Sequence, residues 1–247
     1  MMQMDNNWVL VTGASRGIGA GSAEALAEAG FNLVLWGRTT DDLNATAERC
    51  SAKGVNVRVA SLDVSDSDAV FDAGAKSLAG LEELRGVFLN AGMGIWGSVH
   101  ELSISDWREQ LATNLDGTFY TLKLTLPYLC RNPTAQILLM GSDSSEIGLP
   151  ERSAYCASKW GNSGLLEAVR REVRSAGVRV TNLKVSRVDT YFRGKSPNMR
   201  PEALHISDVA GLVTTIFQLP PKLEIRELSA SANTTTFGIY PEKFQGA

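Results

Sequence analysis

The chain has 247 residues, of which 44% are hydrophobic and 21% charged, with a formal net charge of −3. One domain of this size buries a large core, and the modest charge argues against long disordered tracts and against nucleic acid as the main partner. The three cysteines, Cys50, Cys130 and Cys156, are too few and too scattered for a disulfide framework or a zinc site, no apolar run is long enough for a membrane span, and the first residues lack a signal-peptide pattern, so a cytoplasmic protein is expected.

In chain order, Trp8–Thr12 reads as a buried strand ending at glycine. Gly17–Ala29 reads as a helix with Ile18, Ala25, Leu26 and Ala29 along one face and Gly30 as its stop. Asn32–Gly37 is the next strand, Asp41–Lys53 a helix ended by Gly54, Val55–Ser61 a third strand, and Asp66–Leu78 a third helix. Gly86–Asn90 is the fourth strand. A long helix follows over Ser105–Leu129, with Ser105 as its cap. Then come a strand at Gln136–Met140, a helix at Ala154–Ala176 ended by Gly177, and a strand at Val178–Val185. A helix at Ser207–Leu219 is ended by Pro220-Pro221, and a last strand spans Leu223–Leu228. Apolar strands alternating with helices predict an α/β fold: one doubly wound domain over the whole chain, with a parallel sheet of about seven strands and helices on both faces. The irregular stretch from about 186 to 206 is long enough for a substrate lid. The tail after Ala230 is expected to pack as extended chain.

Between the first strand and first helix lies Thr12-Gly-Ala-Ser-Arg-Gly-Ile-Gly19. Gly13 permits a tight turn, Gly17 lets backbone approach a pyrophosphate, and Gly19 lets the helix pack closely, while the helix N-terminus offers N–H groups to an anion. A plain strand-to-helix turn is the alternative. A carboxylate at the end of the second strand would repel a 2′-phosphate; here Gly37 and Arg38 stand instead, and Arg16 lies in the glycine turn. Two guanidinium groups suit a phosphate dianion, which predicts NADP(H) rather than NAD(H). Asp63, with Val64 beside it, either accepts from an adenine amino group or caps its own turn.

Tyr155 and Lys159 are four residues apart on a helix and so share a face. A free phenol titrates near ~10; a neighbouring ammonium and an oxidised nicotinamide would both lower that, making Tyr155 a proton donor to a carbonyl or an acceptor from an alcohol. With these motifs in this order, the chain from Trp8 to Thr190 resembles the short-chain dehydrogenase/reductase family, in the subtype with a Thr-Gly-x-x-x-Gly-x-Gly turn. The resemblance implies a Rossmann domain. It assigns Gly13, Ser15, Arg16, Gly17, Ile18 and Gly19 to the cofactor turn. Asn90, Ala91 and Gly92 match its Asn-Ala-Gly stretch beside the cofactor. It implies a catalytic tetrad of Asn114, Ser142, Tyr155 and Lys159. Ser142 would stabilise charge on the substrate oxygen, with Ser144 a competitor; Lys159 would also hold the nicotinamide ribose, and the Asn114 carbonyl a relay water. Val188 and Thr190 match its stretch near the carboxamide.

The chain departs from the family pattern at Val185-Ser186, where Pro-Gly is usual, and at Leu89, where asparagine is frequent. The C-terminal part looks more like broad-specificity 3-hydroxy acid and carbonyl reductases. Expected substrate-facing residues are Met93, Gly94, Ile95, Trp96, Ser144, Glu146, Leu149, Tyr191, Phe192 and Arg193. Trp160 is expected to pack, Cys156 to lie in core or interface, and His100 and His205 to have no chemistry. The expected activity is NADPH-dependent carbonyl reduction, or the reverse oxidation, on a small-molecule substrate with no metal. A nucleotide-binding sensor and a redox-neutral isomerase or dehydratase are the competing readings. The resemblance also implies a homo-oligomer, dimer or tetramer, paired through the helices at 105–129 and 154–176.

Overall fold

A computed structural model describes residues 7–233. Seven strands form one parallel sheet in the order β3-β2-β1-β4-β5-β6-β7. They are β1 (Trp8–Thr12), β2 (Asn32–Gly37), β3 (Val57–Ser61), β4 (Gly86–Leu89), β5 (Gln136–Met140), β6 (Arg179–Val185) and β7 (Glu227–Ala230). The helices are α1 (Gly17–Glu28), α2 (Thr40–Ser51), α3 (67–77), α4 (104–129), α5 (Ser153–Glu172) and α6 (Ile206–Gln218). This is the expected doubly wound arrangement. The strand order reverses between β1 and β4, which opens a crevice at their C-terminal ends.

Alternation along the strands sorts two cores. Trp8, Leu10, Val34, Trp36 and Leu139 pack on one face of the sheet; Val9, Val11, Leu33, Leu35 and Leu138 pack on the other. Each fully buried large side chain, Trp36 and Phe88 among them, contributes about 1.5–3 kcal/mol. The Trp36 indole N–H donates to Ser77 Oγ at 3.0 Å, so its polar atom is not left unmatched. Gly21 lets α1 lie against α6, since a Cβ there would come within 2.3 Å of Ile206.

Several boundaries differ from expectation for local physical reasons. The cap of α4 is Ser103, whose hydroxyl accepts the Asp106 N–H at 3.0 Å; Ser105 is already inside the helix. Both α3 and α4 carry a five-residue π turn, Val70–Gly74 and Ala112–Asp116, flanked by α-helix. The last strand starts at Glu227 rather than Leu223. The Val180 N–H is taken by the Glu224 carboxylate at 3.0 Å, so the ladder with β6 opens only at Asn182 and Glu227. At the edges, β3 and β7 expose alternate residues, whereas every residue of β1, β2, β4, β5 and β6 is buried. The stretch 186–206 is not structureless: it holds a 3-10 turn, Phe192–Gly194, and a bridge between Val188 and Leu204. Only three residues of the tail after Ala230 are described; the expectation for the rest lies outside the described residues. No helix among the described residues is long and apolar enough to cross a membrane.

Candidate active site

The crevice has a volume of about 780 Å³ and runs from the glycine turn to Tyr155 and the 186–206 segment. At one end, Gly13 and Gly17 adopt positive φ, 66° and 61°, which favours glycine. The turn is closed from three sides. A Cβ on Gly19 would lie 2.1 Å from the Gly13 carbonyl oxygen, and one on Gly13 would touch Asn90 and Ala91 at 3.0 Å. Thr12 Oγ1 accepts the N–H groups of both Asn90 and Ala91 at 3.0 Å, and Asn90 Nδ2 donates to the Thr12 carbonyl at 3.0 Å. The ends of β1 and β4 are thereby joined into one backbone wall. Thr190 reaches the same turn, its Cβ lying 3.8 Å from where a Gly17 Cβ would sit.

Ser15, Arg16, Ile18, Arg38, Asp63 and Val64 line this end, as do Asn90, Ala91 and Gly92. Gly19 and Asn114 stand behind the wall and shape it. The extended Arg16 caps α1 without a side-chain bond to the first-turn N–H groups, which leaves them directed at the crevice. Ser15 Oγ is buried with no hydrogen-bond partner, beside Gly37, where a Cβ would be only 2.2 Å away. An orphaned hydroxyl, free N–H groups and a cradle that no side chain fills fit a nucleotide diphosphate. Arg38 is well exposed and pairs with Asp63 at 3.4 Å, while Arg16 sits 5.7 Å over the Tyr191 ring. Asp63 also accepts the N–H and hydroxyl of Ser65, and these bonds with the Arg38 charge outweigh its burial and hold its carboxyl below the usual range. The turn-capping role of Asp63 is thus present in the fold.

At the other end, α5 brings Tyr155 and Lys159 onto one face, with the Lys159 Nζ 5.6 Å from the Tyr155 ring centre. Nζ donates to the Met140 carbonyl at 2.7 Å, at the end of β5. Burial pushes Tyr155 up to about 12, against a lowering by the Ser142 hydroxyl and the Arg152 charge. Burial likewise pushes Lys159 down to about 8. Desolvation is the largest cause of both shifts. Ser142 follows β5, accepts the Ser144 N–H at 3.2 Å, and so performs the strand-end capping role while acting on Tyr155. Ser144 also lines the crevice, its hydroxyl buried and unpartnered.

Asn114 lies in the π turn of α4. Its side chain accepts the Met93 N–H at 2.8 Å and donates to the Met93 carbonyl and Ser158 Oγ. Its backbone carbonyl accepts Thr118 Oγ1 and Asn162 Nδ2, both at 2.8 Å. Two side-chain donors engage that oxygen.

Among the expected substrate-facing residues, Met93, Gly94, Trp96, Ser144, Leu149, Tyr191 and Phe192 line the crevice; Ile95 and Glu146 do not. Ile95 is tied by its N–H to the Gln110 side chain, and Glu146 pairs with the buried Lys184 at 2.8 Å. The Arg193 side chain lies outside the described residues. Val188 and Thr190 line the middle of the crevice, and Thr190 Oγ1 accepts the Phe192 N–H at 3.2 Å. Trp160 is 53% exposed. His205 caps α6 with Asp208 in a reciprocal box. Two residues that sequence reasoning missed stand near the phenol. Arg152 lies over the Trp96 ring at 4.9 Å, and Asp143 is buried beside Ser142. Burial raises the Asp143 carboxyl, and Ser186, the residue in place of the family glycine, opposes that. Their positions three and twelve residues before Tyr155 were the available signal, since the first lies one helical turn away and the second follows a strand end.

Residues 7–201 match the family model for short chain dehydrogenases. An alcohol dehydrogenase of the archaeon Thermococcus sibiricus, solved with 5-hydroxy-NADP, is 32% identical, with a TM-score of 0.89 over 96% of this chain and 99% of that one. A metagenomic short-chain oxidoreductase solved with NADP is 28% identical, with a TM-score of 0.79 over 92% and 97%. A sepiapterin reductase of Chlorobaculum tepidum is 28% identical over 89% of this chain and 93% of that protein. With this fold, this crevice and this motif order, the chain belongs to the short-chain dehydrogenase/reductase family of oxidoreductases.

Proposed function

We propose that the protein is an NADPH-dependent reductase of small-molecule carbonyl compounds, able to run the reverse alcohol oxidation. One observation carries this reading: Ser142, Tyr155 and Lys159 converge at one end of a crevice whose other end is a phosphate cradle flanked by Arg16 and Arg38. When bound, NADPH supplies the hydride. Ser15 and the N–H groups that open α1 would hold its diphosphate, and Arg16 and Arg38 its 2′-phosphate. The absence of a carboxylate after β2, and the NADP found with two similar structures, support that choice. Asp63 and Val64 would meet the adenine, and Val188 and Thr190 the carboxamide.

A phenol pushed up to about 12 is protonated at neutral pH, the form required to donate. Ser142 and Tyr155 hydroxyls bind the carbonyl oxygen and stabilise its developing negative charge. Tyr155 then gives its proton to that oxygen, and the alcohol forms. Lys159 would hold the ribose and would pass a proton drawn from solvent back to the phenolate, while Asn114 ties the Met93 loop to Ser158 on the Tyr155 helix. The test is NADPH oxidation against a carbonyl panel, with Tyr155→Phe as control. Loss of oxidation in the variant is expected. Tight NADPH binding with no oxidation of any member would favour a sensor, and product formation without net NADPH use an isomerase or dehydratase.

The same reading includes a homo-oligomer paired through α4 and α5. Phe119, 45% exposed, opens an apolar groove with Leu126, Pro127 and Leu165 between these helices. Light scattering should give at least a dimer, and Phe119→Glu should shift it towards monomer.

A further inference from the structure

Two aromatic rings pack on the proton donor at the reactive end of the crevice. Trp96 packs edge-to-face on the Tyr155 ring at 5.0 Å, and Phe192 on the same ring at 6.0 Å. Trp96 and Phe192 meet each other at 6.2 Å, which closes a triangle around the proton donor. Gly94 makes this possible, because a Cβ there would lie 2.7 Å from Trp96 and 2.8 Å from Phe192. The Arg152 guanidinium lies over the Trp96 ring at 4.9 Å and fixes its orientation. Phe192 starts the 3-10 turn of the 186–206 segment and is anchored by its N–H to Thr190.

We propose that Trp96 and Phe192 are specificity-determining residues that select carbonyl compounds whose carbonyl is carried on, or next to, a planar ring. The inference rests on the reductase reading above. A carbonyl oxygen at the Tyr155 and Ser142 hydroxyls must place its flanking groups against these two rings, because both touch the phenol ring itself. A planar ring meets them edge-to-face or offset and excludes water from them. A short aliphatic ketone covers less of either ring. Arg152 is a positioning residue here, acting through Trp96.

The experiment compares acetophenone with acetone under NADPH, reading kcat/KM for each. The wild type should prefer acetophenone by about tenfold or more. Trp96→Leu and Phe192→Leu should each shrink that preference by about tenfold, mostly through acetophenone, and Trp96→Phe should restore most of it. NADPH affinity by calorimetry should stay within about twofold, which a general loss of structure would not allow. Preference for acetone in the wild type, or an unchanged ratio in both leucine variants, overturns the inference while leaving the reductase reading in place. Bound NADPH with neither ketone reduced overturns the reductase reading, and this inference with it.

Discussion

At the nucleotide end of the crevice the walls are backbone; at the reactive end they are side chains. Gly13, Gly19, Thr12 and Asn90 form a surface whose shape is set by positive φ and by hydrogen bonds between strand ends. Such a surface tolerates almost no added atoms. Around Tyr155 the walls are Trp96, Phe192, Arg152 and Asp143, and the shape follows from which rings and charges happen to meet. One end is suited to a constant ligand, the other to one that differs between relatives. The difference predicts that substitutions at the first end act on binding and folding together, and those at the second on turnover and selectivity.

The largest effect tests the proton donor. Tyr155→Phe should lower kcat by about 10²–10⁴-fold, while NADPH affinity by calorimetry changes little. A comparable loss of affinity would erase the contrast between the ends. Gly19→Ala should do the opposite. Its methyl would press on the Gly13 carbonyl, so a fall in Tm and a loss of NADPH binding are expected together, on the order of 2 kcal/mol in stability by denaturant titration. Arg38→Ala should weaken NADPH by about tenfold and leave NADH within about twofold, measured as the two Kd values.

The buried amine gives a pH test. Lys159 has its folded pKa depressed from 10.5 to about 8, so below pH 8 the folded state carries a desolvated cation and is penalised. Between about 8 and 10.5 the unfolded state binds more protons, and this contribution to stability rises with pH. Lys159→Met should therefore stabilise the protein below pH 8, by up to about 3 kcal/mol, with the gain vanishing as pH approaches 10.5. Carbonyl reduction by the wild type should fall above about pH 8, as the cation that orients the ribose is lost. The smallest effect is expected for Ser186→Gly, which restores the usual family residue. Selectivity at the reactive end should move by less than about threefold, with NADPH affinity unchanged.

Much of the nucleotide end was legible in the chain, because glycine spacing reports backbone geometry directly and backbone is what builds that end. The shared face of Tyr155 and Lys159 was equally legible from helical period. The burial of the two groups was not, because it depends on everything packed around both. Arg152, Glu146 and Ile95 show the same limit. Sequence expected Glu146 and Ile95 to face substrate and did not single out Arg152; only packing decides that Arg152 lies on Trp96 while Glu146 turns to Lys184. Ser105 and Leu223 were misplaced by local competition, from the Ser103 hydroxyl in one case and the Glu224 carboxylate in the other.

The widened turn at Ala112–Asp116 has a consequence for how α4 tolerates length change. A π turn accommodates one residue more than an α turn. Deleting Ala112 would let the helix relax to regular winding, with its two halves keeping their faces and only the turn around Asn114 being reshaped. Asn114 would keep its neighbours on one side and lose either Met93 or Asn162 on the other. A shortened chain of this kind would retain its sheet and its nucleotide turn and still misalign the floor beneath the reacting phenol.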